Sequence, residues 1–239
     1  DTGKPRGQAP QAGRATLYKV DLKQNKIVWQ YDFPASVDLA TSYLNDVRID
    51  TKRGYGYLTD SGQGGIIVLN LWARVPYAYR VLDNIPQVKA DLPGIDFLST
   101  GFDNHQTHSD GLALSENGKF LYFTALTGKT LYKIDTAKLR STGVEKKVSA
   151  YINVVNAANV PTDGLWLSAD KLYMGDLAKE GIYVFDLVTK KGTELPLDKA
   201  IKWADSFAQD SQGVIYFTTS QINYRNKVQE PYRIYQLKK

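Results

Sequence analysis

One pattern constrains the fold more than any other: a unit of short strands that recurs four times and opens each time on Asn or Asp. The first copy runs Asn45-Asp46-Val47-Arg48-Ile49-Asp50, Gly56-Tyr57-Leu58-Thr59-Asp60 and Ile66-Ile67-Val68-Leu69-Asn70-Leu71. Later copies open at Asp110-Gly111-Leu112-Ala113-Leu114-Ser115, at Asp163-Gly164-Leu165-Trp166-Leu167-Ser168 and at Asp205-Ser206-Phe207-Ala208-Gln209-Asp210, each followed by two more apolar strand segments. A fourth strand is expected in the variable stretch behind each unit, for instance over 77–82 or 148–154. Asn45, Asp110, Asp163 and Asp205 stand 65, 53 and 42 residues apart. A four-stranded unit of about 40 to 50 residues with variable insertions is the signature of a β-propeller blade. A sandwich or a closed barrel would not require the same polar residue at every opening.

The strand segments are β-branched and aromatic, bounded by Gly, Asp and Lys, and no window carries a long helical period. The register predicts an all-β, six-bladed β-propeller: residues 1–239 form a single propeller domain that starts in the middle of a blade. Asp1-Thr2-Gly3 aligns with Asp60-Ser61-Gly62, and 17–22 aligns with the third strands. A closed six-bladed ring with such loops needs about 300 residues. The expectation is therefore that an N-terminal blade and a half is missing from this chain, and that this segment or a second copy completes the ring.

Composition narrows the function. With 43% hydrophobic residues the 239-residue chain can bury a large core. No stretch approaches the roughly 18 to 20 apolar residues of a membrane span. Cysteine is absent, which removes disulfides, thiolate metal sites and thiol nucleophiles and suits a secreted or periplasmic protein. The chain begins at Asp1 with no leader, as a processed product would. The net charge of +5 is spread along the chain, and its densest runs, Lys146-Lys147 and Lys190-Lys191, fall at expected turns. Nucleic acid is not the expected partner. Neither a phosphate loop nor a nucleophile elbow occurs, and the Gly-rich run 60–65 precedes no helix, so it reads as a turn.

In a propeller the first strand of each blade lines the central channel, so its opening residues gather at one mouth. Asn45, Asp46, Asp110, Asp163 and Asp205 would then converge. Crowded carboxylates repel and call for a cation, shared protons or basic partners. The oxygen-rich set suits a hard cation such as Ca2+, with Asn45, Asp110 and Asp163 as metal ligands, or it suits an amine. The same residue types also cap turns by accepting backbone amides, which is the structural alternative. His105 and His108 precede the Asp110 strand and are the candidate proton shuttles or transition-metal ligands. Trp166, Trp203 and Phe207 either wall an aromatic pocket near the mouth or pack between blades.

Leu44-Asn45-Asp46-Val47-Arg48-Ile49-Asp50 with Gly56-Tyr57-Leu58-Thr59-Asp60-Ser61 and Ile66-Ile67-Val68-Leu69 resembles the major royal jelly protein/Yellow family. Asp110-Gly111-Leu112-Ala113-Leu114-Ser115, Leu121-Tyr122-Phe123 and Trp203-Ala204-Asp205-Ser206 fit the same pattern. The absence of cysteine and the compact loops look like a bacterial Yellow-like member. The resemblance implies a six-bladed, commonly secreted propeller. Some of the family convert dopachrome, some bind biogenic amines in the central channel, and others are nutritive. A more distant similarity is to gluconolactonase/regucalcin-like propellers, whose metal is held by Glu, Asn and Asp. Asn45 and Asp163 match that set, Asp110 stands where it has a second Asn, and its Glu is expected in the first blade, within the portion expected to be missing. Three readings follow: a Yellow-like propeller binding a small molecule, amine or aromatic, in its channel; a divalent-metal lactonase or hydrolase; and a non-catalytic interaction scaffold.

Overall fold

The computed structural model describes residues 1–4, 9, 11–92, 106–141, 145–155, 160–224 and 228–237. Within them, five antiparallel sheets follow one another along the chain. A two-stranded sheet, β1 (Thr16–Asp21) and β2 (Lys26–Asp32), comes first. Three four-stranded blades and one of three strands follow. The first holds β3 (Leu44–Asp50), β4 (Tyr55–Asp60), β5 (Gly65–Asn70) and β6 (Tyr77–Asp83). The second holds β7 (Ser109–Leu114), β8 (Phe120–Ala125), β9 (Tyr132–Asp135) and β10 (Asn153–Val154). The third holds β11 (Leu165–Ser168), β12 (Lys171–Asp176), β13 (Gly181–Asp186) and β14 (Lys191–Glu194). The fourth holds β15 (Ala204–Gln209), β16 (Ile215–Thr219) and β17 (Ile234–Gln236). The arrangement is an all-β, propeller-like one.

Two expectations need correction. The described residues form four blades and a two-stranded sheet rather than six blades, because units 42 to 65 residues apart consume the chain after four openings. The strand expected over 148–154 shrinks to the two residues of β10. Its first half winds instead into a 3-10 turn over Glu145–Tyr151, behind the short helix α1 (Thr136–Arg140).

Alternation within each strand builds the core. Side chains of successive strand residues point to opposite faces, so a strand apolar on both faces can glue two neighbours. In β5, Ile66 and Val68 pack with Leu112, Leu121 and Phe123 of the second blade. Ile67 and Leu69 pack the other way, with Ala15, Phe33 and Val37 beside the two-stranded sheet. All four are fully buried. The same division repeats in β13: Phe185 joins Ala113, Tyr122 and Leu165, whereas Ile182 and Val184 join Phe207, Ile215 and Phe217. Burying each such side chain stabilises by about 1.5–3 kcal/mol. The blades therefore stack face to face, and their inner strands β3, β7, β11 and β15 lie side by side around one axis.

Candidate functional site: a carboxylate cluster at the openings of the inner strands

Three of the four inner strands, β3, β7 and β15, begin with an irregularity where the acidic residues sit, and Asp163 stands just ahead of the regularly paired β11. In β3, Asn45 and Asp46 together oppose Thr59, because pairing jumps from Leu44–Asp60 to Val47–Leu58. In β7, Asp110 and Gly111 oppose Thr124 in the same way, between the Ser109–Ala125 and Leu112–Phe123 pairs. In β15, Asp205 and Ser206 oppose Thr218, between Ala204–Thr219 and Phe207–Phe217. Two residues facing one is a β-bulge, which bends the strand and re-aims side chains. Glycine then permits close approach. A Cβ on Gly164 would stand 1.9 Å from the Asp205 carbonyl oxygen, and one on Gly111 would stand 2.7 Å from that of Asp163. The Asp-Gly pairs are therefore where neighbouring inner strands nearly touch, and no turn forms there. The threonines opposite the bulges escaped sequence reasoning although each is the last but one residue of the second strand in its unit. Thr59 accepts from the Asp46 amide (3.1 Å) and donates to the Asp110 carbonyl (2.9 Å), tying two blades together.

Four carboxylates from four blades thus share one electrostatic environment. Burial first, then the charges of Asp163, Asp46 and Asp205, push the Asp110 carboxyl well above its ordinary range, against a hydrogen bond from the Asn45 amide (2.5 Å). Asp163 is pushed up by burial and by Asp205, and its Oδ2 accepts from the Trp203 indole (2.5 Å). Burial also raises Asp205, opposed by the Ser206 hydroxyl at 2.9 Å. Asp46 is raised to about 6, mainly by burial; Arg48 opposes the shift, Asp205 adds to it, and the Leu112 amide opposes it. Such a set titrates as a unit.

The structure sorts the remaining candidates. Asn45 is exposed beside Asp110. Trp203 is 4% exposed, has a left-handed backbone (φ 54°) and packs with Leu126 and Leu177, so only its indole N–H serves the cluster. Phe207 is 6% exposed and stacks near Phe217 in the core between the third and fourth blades. Its ring fills a blade interface instead of walling a pocket, because the bulge at Asp205 and Ser206 sets its phase inward. His105 lies outside the described residues. His108 is partly buried, and its Nδ1 accepts from the Ala90 amide at 3.1 Å. Burial and Lys89 lower its pKa while Asp60 raises it, so none of the four clustered aspartates governs it. Arg48, which sequence reasoning passed over, is the cation nearest the cluster, 3.7 Å from Asp46. Among the described residues no three acidic or histidine side chains are grouped to hold a metal ion, and no helix is long and apolar enough to cross a membrane.

The sequence profile of the family described as Major royal jelly protein matches residues 1–162. The chain belongs to the major royal jelly protein family. Among curated proteins, none matches this sequence. Solved structures similar to this major royal jelly family chain are distant. A nidogen/laminin complex is similar with a TM-score of 0.59 at 12% identity, over 88% of this chain and 68% of that one. A streptogramin B lyase gives 0.53 at 15% identity, over 93% and 61%. A calcium-binding protein, regucalcin, from Agrobacterium tumefaciens gives 0.51 at 9% identity, over 84% and 61%. The chain spans about three fifths of the length of the last two. At these identities the likeness is one of fold. Carboxylates of this family member that raise one another's proton affinity cannot all ionise without a countercharge, and Arg48, 3.7 Å from Asp46, neutralises at most one.

Proposed function

We propose that the chain binds a small organic cation, an amine, at the mouth formed by the inner-strand openings. One observation carries the reading: four carboxylates, each from a different blade, are held together with their proton affinities raised by burial and, for Asp46, Asp110 and Asp163, by their acidic neighbours. An entering ammonium group relieves that repulsion and donates its N–H groups to the carboxylate oxygens. The Asn45 side chain turns its N–H towards Asp110, and the Trp203 indole N–H points at Asp163, so each acid has one oxygen engaged and keeps further lone pairs for an incoming donor. Family membership and the lack of cysteine support a secreted or periplasmic location.

Calorimetric titration with tyramine and, separately, with calcium chloride tests the reading. Tyramine should bind at about pH 8 and weaken at about pH 5 as the cluster takes up protons. Asp110→Asn or Asp163→Asn should lose about 2–5 kcal/mol of that binding while the fold persists. Stoichiometric calcium without tyramine would establish the divalent-metal hydrolase alternative in its place. A chain that takes neither is left with the scaffold reading.

A further inference from the structure

The inner strands have a second end, and its chemistry is the reverse of the first. A cavity of about 240 Å³ opens where they finish, lined by Arg48 and Lys52 from the first blade, Ser115 and Glu116 behind β7, Trp166 of β11 and Gln209 of β15. Two of these residues carry buried donors with no hydrogen-bond partner among the described residues: Arg48 Nε and Trp166 Nε1. The rest of the Arg48 guanidinium is engaged. Its Nη1 donates to the Val47 carbonyl (2.9 Å) and its Nη2 to the Leu165 carbonyl (3.0 Å), while the guanidinium carbon lies 5.7 Å from the Trp166 ring centre. These contacts hold the two side chains together and fix the side on which Nε is left over. Buried polar groups in folded chains are almost always hydrogen-bonded, and leaving one unmade costs about 1–3 kcal/mol. Two such orphans lining one cavity imply an acceptor that comes from outside.

We propose that this cavity is a second binding site, for a small monocarboxylate whose oxygens accept from Arg48 Nε–H and Trp166 Nε1–H. The charge balance selects the class. Arg48 and Lys52 bring two positive charges to the lining, and Asp50 and Glu116 bring two negative ones, with Asp50 already paired to Arg53 at 2.9 Å. A neutral wall with two unpartnered donors among its residues favours a single negative charge over a dianion. The volume lies below the roughly 300–1,000 Å³ of drug-sized pockets, which limits the ligand to a few heavy atoms. No mouth carboxylate lines it, but Arg48 also lies 3.7 Å from Asp46 of the mouth, so the two sites share one cation and are told apart by their ligands.

The test follows the four indole N–H resonances of the 15N-labelled chain, one from each tryptophan, during titration with sodium acetate. A Trp166→Phe variant identifies the Trp166 signal. That signal should move downfield and saturate while the other three stay still, and sodium chloride at equal ionic strength should not move it. Arg48→Met and Arg48→Lys, which both remove the Nε–H, should weaken acetate by about tenfold or more; the unmoved indoles report that each variant is folded. Asp163→Asn should leave acetate affinity unchanged even if it abolishes tyramine binding, which separates this site from the mouth. A Trp166 signal that ignores acetate, or that moves in step with the other indoles, overturns the proposal. So does phosphate binding tighter than acetate.

Discussion

Asp60 and Asp110 are the same residue type, equally buried at 0% and 2% exposure, and lie on neighbouring blades. The Asp60 carbonyl accepts from Ser109, and Thr59 donates to the Asp110 carbonyl. Their carboxyl groups are nevertheless driven in opposite directions. Burial raises the Asp60 proton affinity, but donors from Ser42, the Tyr43 and Gln63 amides and the charge of Arg80 outweigh it and leave the group below its ordinary range. Asp110 has the Asn45 amide against three neighbouring carboxylates and is driven upward. Burial alone does not decide what a carboxylate does to a fold. The number of donors aimed at it does, and the shortage of donors at the mouth marks the place where the fold is stressed in favour of binding.

The largest effect should come from breaking the satisfied member. Asp60 Oδ1 accepts from Tyr43, Gly62 and Gln63 at 2.8 to 3.1 Å, and Oδ2 lies 2.9 Å from Arg80, whose side chain is 9% exposed. Asp60→Asn strands a buried guanidinium, a loss of about 3–5 kcal/mol. Asp83, 2.7 Å from the same arginine, pulls the expected value to the lower end. The urea midpoint measures it. A loss under about 1 kcal/mol would break the comparison.

Relieving the stressed member should do the reverse. In the ligand-free chain at neutral pH, Asp110→Asn keeps an acceptor for the Asn45 amide and deletes a charge that three others repel. It should stabilise by about 1–2 kcal/mol, read as a higher melting temperature, while tyramine affinity collapses. A destabilised Asp110→Asn with unchanged tyramine affinity would assign the cluster to structure alone.

Titration sharpens the contrast without mutation. A folded-state pKa above the unfolded value contributes stability that is complete below the unfolded pKa and lost as pH rises through the folded one. For Asp46 that window runs from about 4 to about 6, and Asp110, Asp163 and Asp205 act with the same sign. Asp60 acts oppositely: its stability is present above the unfolded pKa and is lost as pH falls through the lowered one. The ligand-free chain should therefore melt at a lower temperature at about pH 8 than at about pH 5, and saturating tyramine should remove most of that difference. A melting temperature that stays level or rises over the interval would overturn the raised cluster, because the contribution of Asp60 is already complete above about pH 4 and cannot mask it.

What was legible in advance divides along the same line. The repeats and the convergence of Asn45, Asp110, Asp163 and Asp205 could be read because strand periodicity and blade topology are local patterns repeated along the chain. The bulges could not, since a bulge is defined by the partner strand, and the sequence of β7 alone does not reveal that Asp110 and Gly111 both face Thr124. Phe207 was ambiguous for a related reason: one residue of slip decides whether it faces the channel or the next blade. The blade count failed because spacing gives the number of openings and not the number of blades needed to close a ring. Arg48 was hidden by composition, as one cation among 30 whose orphaned Nε appears only in three dimensions.

The smallest effect belongs to a carboxylate with one local bond. Asp135 caps α1, its side chain accepting from the Ala137 amide at 2.8 Å, and Lys138 and Arg140 stand in the helix's last turn. Asp135→Ala leaves that amide to water and weakens only a five-residue helix, so the loss should be about 0.5–1 kcal/mol. Thr136 limits the damage further, because its buried hydroxyl donates to the Gly118 carbonyl independently of the cap. The variant places a third point between Asp60 and Asp110 on one scale, where the cost of losing a carboxylate follows the donors it satisfies. Equal urea midpoints for Asp135→Ala and Asp60→Asn would show that donor number does not set that scale.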